Sequence, residues 1–305
     1  MKKQTFIISL ILLIVYANVF ASVCRKKELT YTDYTLSDQY VAGNQTRCFQ
    51  WDKIDSMLTR LDTFQYEHLI MATLHNYKNE YGLAPLVEPH VLGKYNNQTD
   101  TFGVERYQSV PLYSVDSVPE LVRYGRDGAL GAITGDTLGY YKITFLYIPG
   151  EWYVPQKYVK VIGPVFFRKC IFIDRTNQNI ATLEQRDSCW YVRSMNPATT
   201  GLDRPPFKKP TPAGIFVIQE KKGKMPFYKD GTDDIGGFAP YASRFCCGGY
   251  IHGVPVNYPQ KSLIEYSPTL GTTPRSHMCV RNATSHALYI YNWSGEFDTL
   301  VFVFD

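Results

Sequence analysis

The sequence predicts a mainly β protein of two folded units behind a partly helical lead-in, and three observations carry that prediction. Its 305 residues exceed the usual span of one domain. Hydrophobic residues make up 45% against 20% charged, with 24 Tyr and 17 Phe, a balance that suits packed strands rather than disorder. From Tyr107 onward, short apolar runs alternate with turns rich in Gly and Pro.

Lys2-Lys3, the apolar stretch Phe6 to Phe20 and the small residue Ala21 read as a secretory signal peptide over residues 1–21. The stretch is near the lower length for a spanning helix, so a retained membrane tether is the competing reading. Either way the expected location is the periplasm or cell envelope, where cysteines pair by default. Val23 is a poor neighbour for a lipidated Cys24.

Residues 22–104 form the lead-in. Trp51, Ile54, Met57, Leu58 and Leu61 recur at helical spacing, and Leu69, Met71 and Leu74 follow, predicting one or two short helices. Lys94 to Gly103 is polar and reads as a loop. Residues 105–164 alternate short apolar runs with Gly-rich turns, which predicts a small β-barrel. The stretch Gly150 to Pro155 with Tyr158-Val159 resembles the closing strands of bacterial SH3-like domains.

Residues 165–305 form the last unit. Cys170 to Ile173 reads as a strand, the turn Asn177-Gln178-Asn179 follows, and Ile180 to Leu183 returns as its hairpin partner. Trp190 to Val192, Gly214 to Ile218, Tyr289 to Tyr291 and Leu300 to Phe304 read as further strands. Pro205 to Pro212 and Gly231 to Pro240 read as long surface loops that shape a cleft.

The formal charge is +4, and removal of Lys2 and Lys3 would halve it, which excludes nucleic acid as the expected partner. Seven cysteines are an odd number. If Cys279 is a free thiol, then Cys24, Cys48, Cys170, Cys189, Cys246 and Cys247 remain for bridges of open connectivity. Paired CxxC motifs are absent, so neither a structural zinc nor another cofactor is expected.

The chemistry concentrates in Gly248-Gly249-Tyr250-Ile251-His252-Gly253 and in Ser276-His277-Met278-Cys279-Val280-Arg281. A cysteine nucleophile needs a base to remove its proton and donors aimed at the oxyanion that forms. Two histidines, a thiol and an arginine lie within 30 residues, and on a regular strand His277 and Cys279 would share a face.

His252-Gly253, Ser276-His277 and Cys279-Val280-Arg281 together resemble the signature of the L,D-transpeptidases of the YkuD type. Ile171 to Gln178, Thr211 to Phe216 and His286 to Tyr289 resemble that family's opening strand, its Thr-Pro-x-Gly-x-Phe strand and the helix after its motif. The resemblance spans roughly residues 167–305. It implies a β-sandwich with the cysteine at the end of a cleft, a peptidoglycan stem tetrapeptide as substrate and a monomer needing no metal. It implies that Cys279 forms a thioester and expels D-alanine, that His277 moves the proton, and that His252 lies near the substrate or oxyanion. Arg281, Gly253, Ser276, Met278 and Tyr250 are the implied substrate-binding positions, with the N–H groups of Met278 and Cys279 lining the oxyanion hole.

One position departs from the pattern: Met278 stands where the family has glycine. If that site requires φ > 0, Met278 is strained there by about 1 kcal/mol or more. A catalytically silent wall-binding protein is therefore the alternative from another class. A Cys-His endopeptidase is the third reading, and the chain order counts against it, because Cys279 follows both candidate bases.

Overall fold

The computed structural model describes residues 23–116 and 120–305, so the expected leader at 1–21 lies outside the described residues. The fold is mainly β, with three larger sheets. The central one has six strands in the order Arg25–Lys27, Cys189–Pro197, Asn179–Arg186, Lys169–Asp174, Thr299–Phe304 and Gly214–Val217. Lys169–Asp174 is buried on both faces, which explains its unbroken apolar run.

Its alternate residues serve two different cores. Cys170 and Phe172, with Leu300 and Phe302, pack against Ile54, Leu58 and Leu61 of the helix Trp51–Glu67. Ile171 and Ile173, with Val301 and Val303, pack against Phe245, Ile251 and Val280 of a second sheet and Ile290 of the helix Thr284–Trp293. The second sheet contains Glu220–Tyr228, Ile235–Cys246, Gly249–His252 and Val280–Arg281, with Val256–Asn257 paired to its long strand. A β-sandwich results, covered on its outer side by the lead-in helix. The lead-in is stapled to it again by the disulfide Cys24–Cys189, beside which Arg25–Lys27 runs parallel to Trp190–Val192.

The third sheet has seven strands in the order Val159–Gly163, Met71–Leu74, Leu130–Thr137, Tyr140–Phe145, Glu151–Pro155, Ser109–Tyr113 and Leu121–Arg126. It is open, not the closed barrel that the run of short strands predicts. Met71–Leu74 inserts between Leu130–Thr137 and Val159–Gly163, widening the sheet instead of letting it close. The same insertion corrects the helical reading of Met71 and Leu74. Both are buried, and a short apolar run buried on both sides carries no periodicity to tell strand from helix.

Three further expectations change. Tyr289 to Tyr291 belongs to the helix Thr284–Trp293 rather than a strand. Ile235–Cys246 is a twelve-residue strand whose first half, Ile235 to Pro240, lies in the predicted loop Gly231 to Pro240, and its Pro240 is accommodated within the ladder to Glu220–Tyr228. Of the six cysteines available for bridges, Cys24 and Cys189 are bonded, while Cys48, Cys170, Cys246 and Cys247 are free thiols, as is Cys279. Among the described residues, no helix is long and apolar enough to cross a membrane.

The open sheet is welded to the sandwich at Asp127. This buried carboxylate lies 2.7 Å from Arg244 and accepts from the N–H of Asn76 at 2.9 Å, the N–H of Cys247 at 3.0 Å and the Gln219 amide at 3.1 Å. Gly128, at φ +86°, lies so close to Phe245 that a Cβ would stand 2.0 Å from its carbonyl oxygen, so only glycine lets the two units meet there. The joint thereby holds the turn Cys246 to Gly249 that leads into the strand of His252.

Candidate active site

Gly249–His252 runs parallel to Val280–Arg281, with Ile251 opposite Val280 and His252 opposite Arg281. Ile251 and Val280 point into the sandwich core, so the alternation of side chains sends Tyr250, His252 and Arg281 to the other face. One step back in the same register Cys279 stands beside Tyr250. The thiol reaches the Gly248 carbonyl at 3.6 Å. Burial pushes the Cys279 thiol up, and the Tyr250 backbone and the Arg281 charge offset only part of that effect.

His252 is buried, and its Nδ1 lies 2.6 Å from the Gly253 carbonyl oxygen. A carbonyl can only accept, so this contact assigns the proton to Nδ1 and leaves a lone pair on Nε2. Burial lowers the ring to about 4, so it is neutral near pH 7. Gly253 is held by its own N–H to Pro240 O at 2.9 Å, and a Cβ there would come within 2.7 Å of the Thr284 hydroxyl.

His277 does not share a strand face with Cys279. The strand begins only at Val280, and Met278 intervenes at φ +120°, so the chain turns between the two side chains. The exposed ring of His277 places Nε2 2.7 Å from Oδ1 of Asp230, at the tip of the hairpin joining Glu220–Tyr228 to Ile235–Cys246. Asp230 was not legible as a partner: in sequence it is one more acid in a Gly-bearing turn.

The backbone around Met278 is fixed from both sides. The Thr211 hydroxyl donates to the Met278 carbonyl at 2.7 Å and accepts from the Gly201 N–H at 2.8 Å. Gly201 sits so close that a Cβ would stand 2.9 Å from the Met278 Cα and 2.3 Å from the Lys209 carbonyl oxygen. The buried Ser276 donates its hydroxyl to the Cys279 carbonyl, a role in shaping the loop. Among the described residues, the N–H groups of Met278 and Cys279 have no hydrogen-bond partner.

The Arg281 guanidinium likewise makes no hydrogen bond or ion pair to the described residues, and its Nε is buried. Burial holds its pKa below the ordinary guanidinium range. Tyr250 donates its hydroxyl to Glu220 at 2.9 Å, and burial pushes the phenol up. The site thus gathers a thiol, a neutral imidazole with a bare nitrogen, two free backbone donors and an unpaired cation. That set can attack a carbonyl, take up a thiol proton, hold an oxyanion and anchor a carboxylate. Among the described residues, no cluster of three or more His, Cys, Asp or Glu is arranged to hold a metal.

Residues 168–303 match the sequence model of the YkuD family, described as the L,D-transpeptidase catalytic domain. No curated protein matches the chain. Among solved structures the chain is similar to an L,D-transpeptidase from Mycobacterium smegmatis, at 17% identity over 56% of this chain and 80% of that one, with a TM-score of 0.37. A second L,D-transpeptidase, from Mycobacterium tuberculosis H37Rv, is 19% identical over 57% of this chain and 77% of that one, with a TM-score of 0.37. A fused Zn-dependent amidase/peptidase/peptidoglycan-binding domain-containing protein from Clostridium acetobutylicum is 17% identical over 46% of this chain, with a TM-score of 0.33. The chain spans about half of that protein, 53% of its length.

Proposed function

We propose that this chain is a peptidoglycan L,D-transpeptidase of the cell envelope with Cys279 as nucleophile. The observation that carries the reading is the set of Cys279, the bare Nε2 of His252 and the two unpaired N–H groups of Met278 and Cys279 on one edge of the sandwich. The family match over residues 168–303 supports the same assignment.

In this reading Cys279 Sγ attacks the carbonyl carbon at the third residue of a stem tetrapeptide. The thiol proton passes to Nε2 of His252, and the oxyanion is held by the N–H groups of Met278 and Cys279. Collapse breaks the C–N bond, and His252 returns the proton to the departing amine of D-alanine, leaving a thioester. An acceptor amine, or water, then takes the acyl group and frees the thiol. Because burial raises the thiol and lowers the imidazole, the resting pair is neutral, and the proton moves as the S–C bond forms. Arg281 holds a substrate carboxylate. His277, paired to Asp230, anchors the hairpin tip beside the nucleophile in place of acting as the base.

The silent-binding alternative rests on Met278. Its backbone already adopts a conformation with φ at +120°, so the side chain does not prevent the glycine-like turn that frees the two N–H groups. Incubating the mature protein with stem tetrapeptide and following D-alanine by mass spectrometry tests the proposal. The expected result is release with a transient thioester, lost in Cys279→Ala. Full turnover by that variant, or no turnover by the parent, would overturn it.

A further inference from the structure

A cavity of about 920 Å³ lies between the open sheet and residues 203–216; Met278 forms part of its wall, while Cys279 and His252 do not line it. The cavity therefore adjoins Cys279 through the residue that precedes it, yet much of its lining comes from the open sheet and from the segment 93–105, where the expected loop instead holds the strand Gln98–Asp100, paired with His90–Leu92.

Its charge is unbalanced. Lys94, Arg123, Arg126, Arg175, Lys208 and Lys209 line it, against Glu105 and Asp203. Lys209 is paired with Glu105 at 2.6 Å, and Arg175 with Asp305 outside the lining. Among the described residues the other four cations have no ion-pair partner; Asp203 is the one unpaired acid in the lining, and Asp100, outside it, adds its charge near Arg123. Arg123 is the most constrained. Its Nε is buried without a hydrogen-bond partner, and its guanidinium sits 3.9 Å over the Phe102 ring. An unsatisfied guanidinium, fixed by stacking and partly withdrawn from water, gains most from a planar anion that accepts two hydrogen bonds. Single cations spread along an aromatic wall with Tyr95 and Tyr147 suit an extended chain bearing carboxylates better than one compact, highly charged group.

We propose that this cavity is a subsite for a peptide stem carrying free carboxylates, with Arg123 taking one carboxylate and Lys94 supporting it at the rim. The inference rests on reading the chain as an enzyme of stem peptides, and it adds a subsite built largely by the open sheet, beyond the sandwich that holds Cys279.

The test uses the whole mature protein carrying Cys279→Ala, titrated calorimetrically with a stem tetrapeptide as free acid and as its carboxamide. Arg123→Gln should weaken binding of the free acid about tenfold or more, the scale of one charged hydrogen-bonded contact, and leave the carboxamide unchanged. Lys94→Gln, at an exposed position that does not bear on folding, should weaken it about twofold to fivefold. It decides the matter if Arg123→Gln proves unstable. Affinity for the free acid equal to the parent's in Lys94→Gln and in a folded Arg123→Gln overturns the subsite. D-alanine release by the protein with Cys279 intact is measured in parallel. Release without the binding pattern removes the subsite alone, and the binding pattern without release removes the catalytic reading alone.

Discussion

Replacing Met278 by Gly and by Ala separates backbone strain from side-chain packing. Both substitutions remove the Met side chain beyond Cβ, so the lost contact with the sandwich core is common to the two and cancels in their comparison. At an unstrained position Ala is more stable than Gly by about 0.5–1 kcal/mol, because glycine loses more freedom on folding. At φ +120°, beyond the left-handed well that L-residues tolerate, Ala keeps a penalty of about 1–3 kcal/mol that Gly escapes. The net expectation reverses the ordinary order, with Gly above Ala by up to about 2.5 kcal/mol. Urea unfolding reads this as a midpoint higher for Met278→Gly by up to about 1 M, taking a slope of about 2–3 kcal/mol/M. The sign is the test: an Ala variant as stable as the Gly variant, or more so, refutes the claim that this position is strained.

Acid should weaken the fold through its buried histidines. Burial lowers His286 to about 3 and His252 to about 4, so each contributes stability that is complete above the unfolded value near 6.5 and is lost as pH falls toward the folded value. Between pH 7 and 4.5 the His286 share is about 2–3 kcal/mol, and urea midpoints of His286→Gln should fall less over that range than the parent's; parallel pH curves would contradict this. Thr211→Val removes the partner of both Gly201 N–H and Met278 C=O, at about 1–3 kcal/mol for each group left unpaired, and should slow thioester formation as well, as followed by intact mass. Reduction of Cys24–Cys189, or replacement of both by Ala, should lower stability by about 2–5 kcal/mol, seen as a melting temperature that depends on reductant in the parent and not in the double variant.

Much of the sandwich is legible because its strands carry local signals. Cys170 to Ile173 and Ile180 to Leu183 are short apolar runs joined by the polar turn Asn177-Gln178-Asn179, Leu300 to Phe304 is a third such run, and each folds as read. Trp51 to Leu61 shows its helical stripe, and Ile54, Leu58 and Leu61 bury it. Reading fails where tertiary contacts decide. Met71 and Leu74 are strand residues only because two distant strands flank them. Ile235–Cys246 is extended because it ladders with Glu220–Tyr228, which its Gly and Pro content conceals. In the site, the spacing of Cys279, His252 and Arg281 is visible in sequence, and the sequence raises the conditional expectation of strain at Met278, whose backbone is at φ +120°. The partner of His277 is not visible, since Asp230 lies 47 residues away and the contact depends on how the hairpin tip folds back.

The parallel pairing of Arg25–Lys27 with Trp190–Val192, pinned by Cys24–Cys189, has a mechanical consequence. Tension applied through residue 23 would reach the S–S bond at Cys24 before it reached the ladder beyond. The bond would hand the load to the start of Cys189–Pro197, so the ladder would be sheared along its length rather than peeled rung by rung. The six-stranded sheet should therefore resist pulling from that side until the cystine is cut, and reductant would then act as a release for force as well as a denaturing agent.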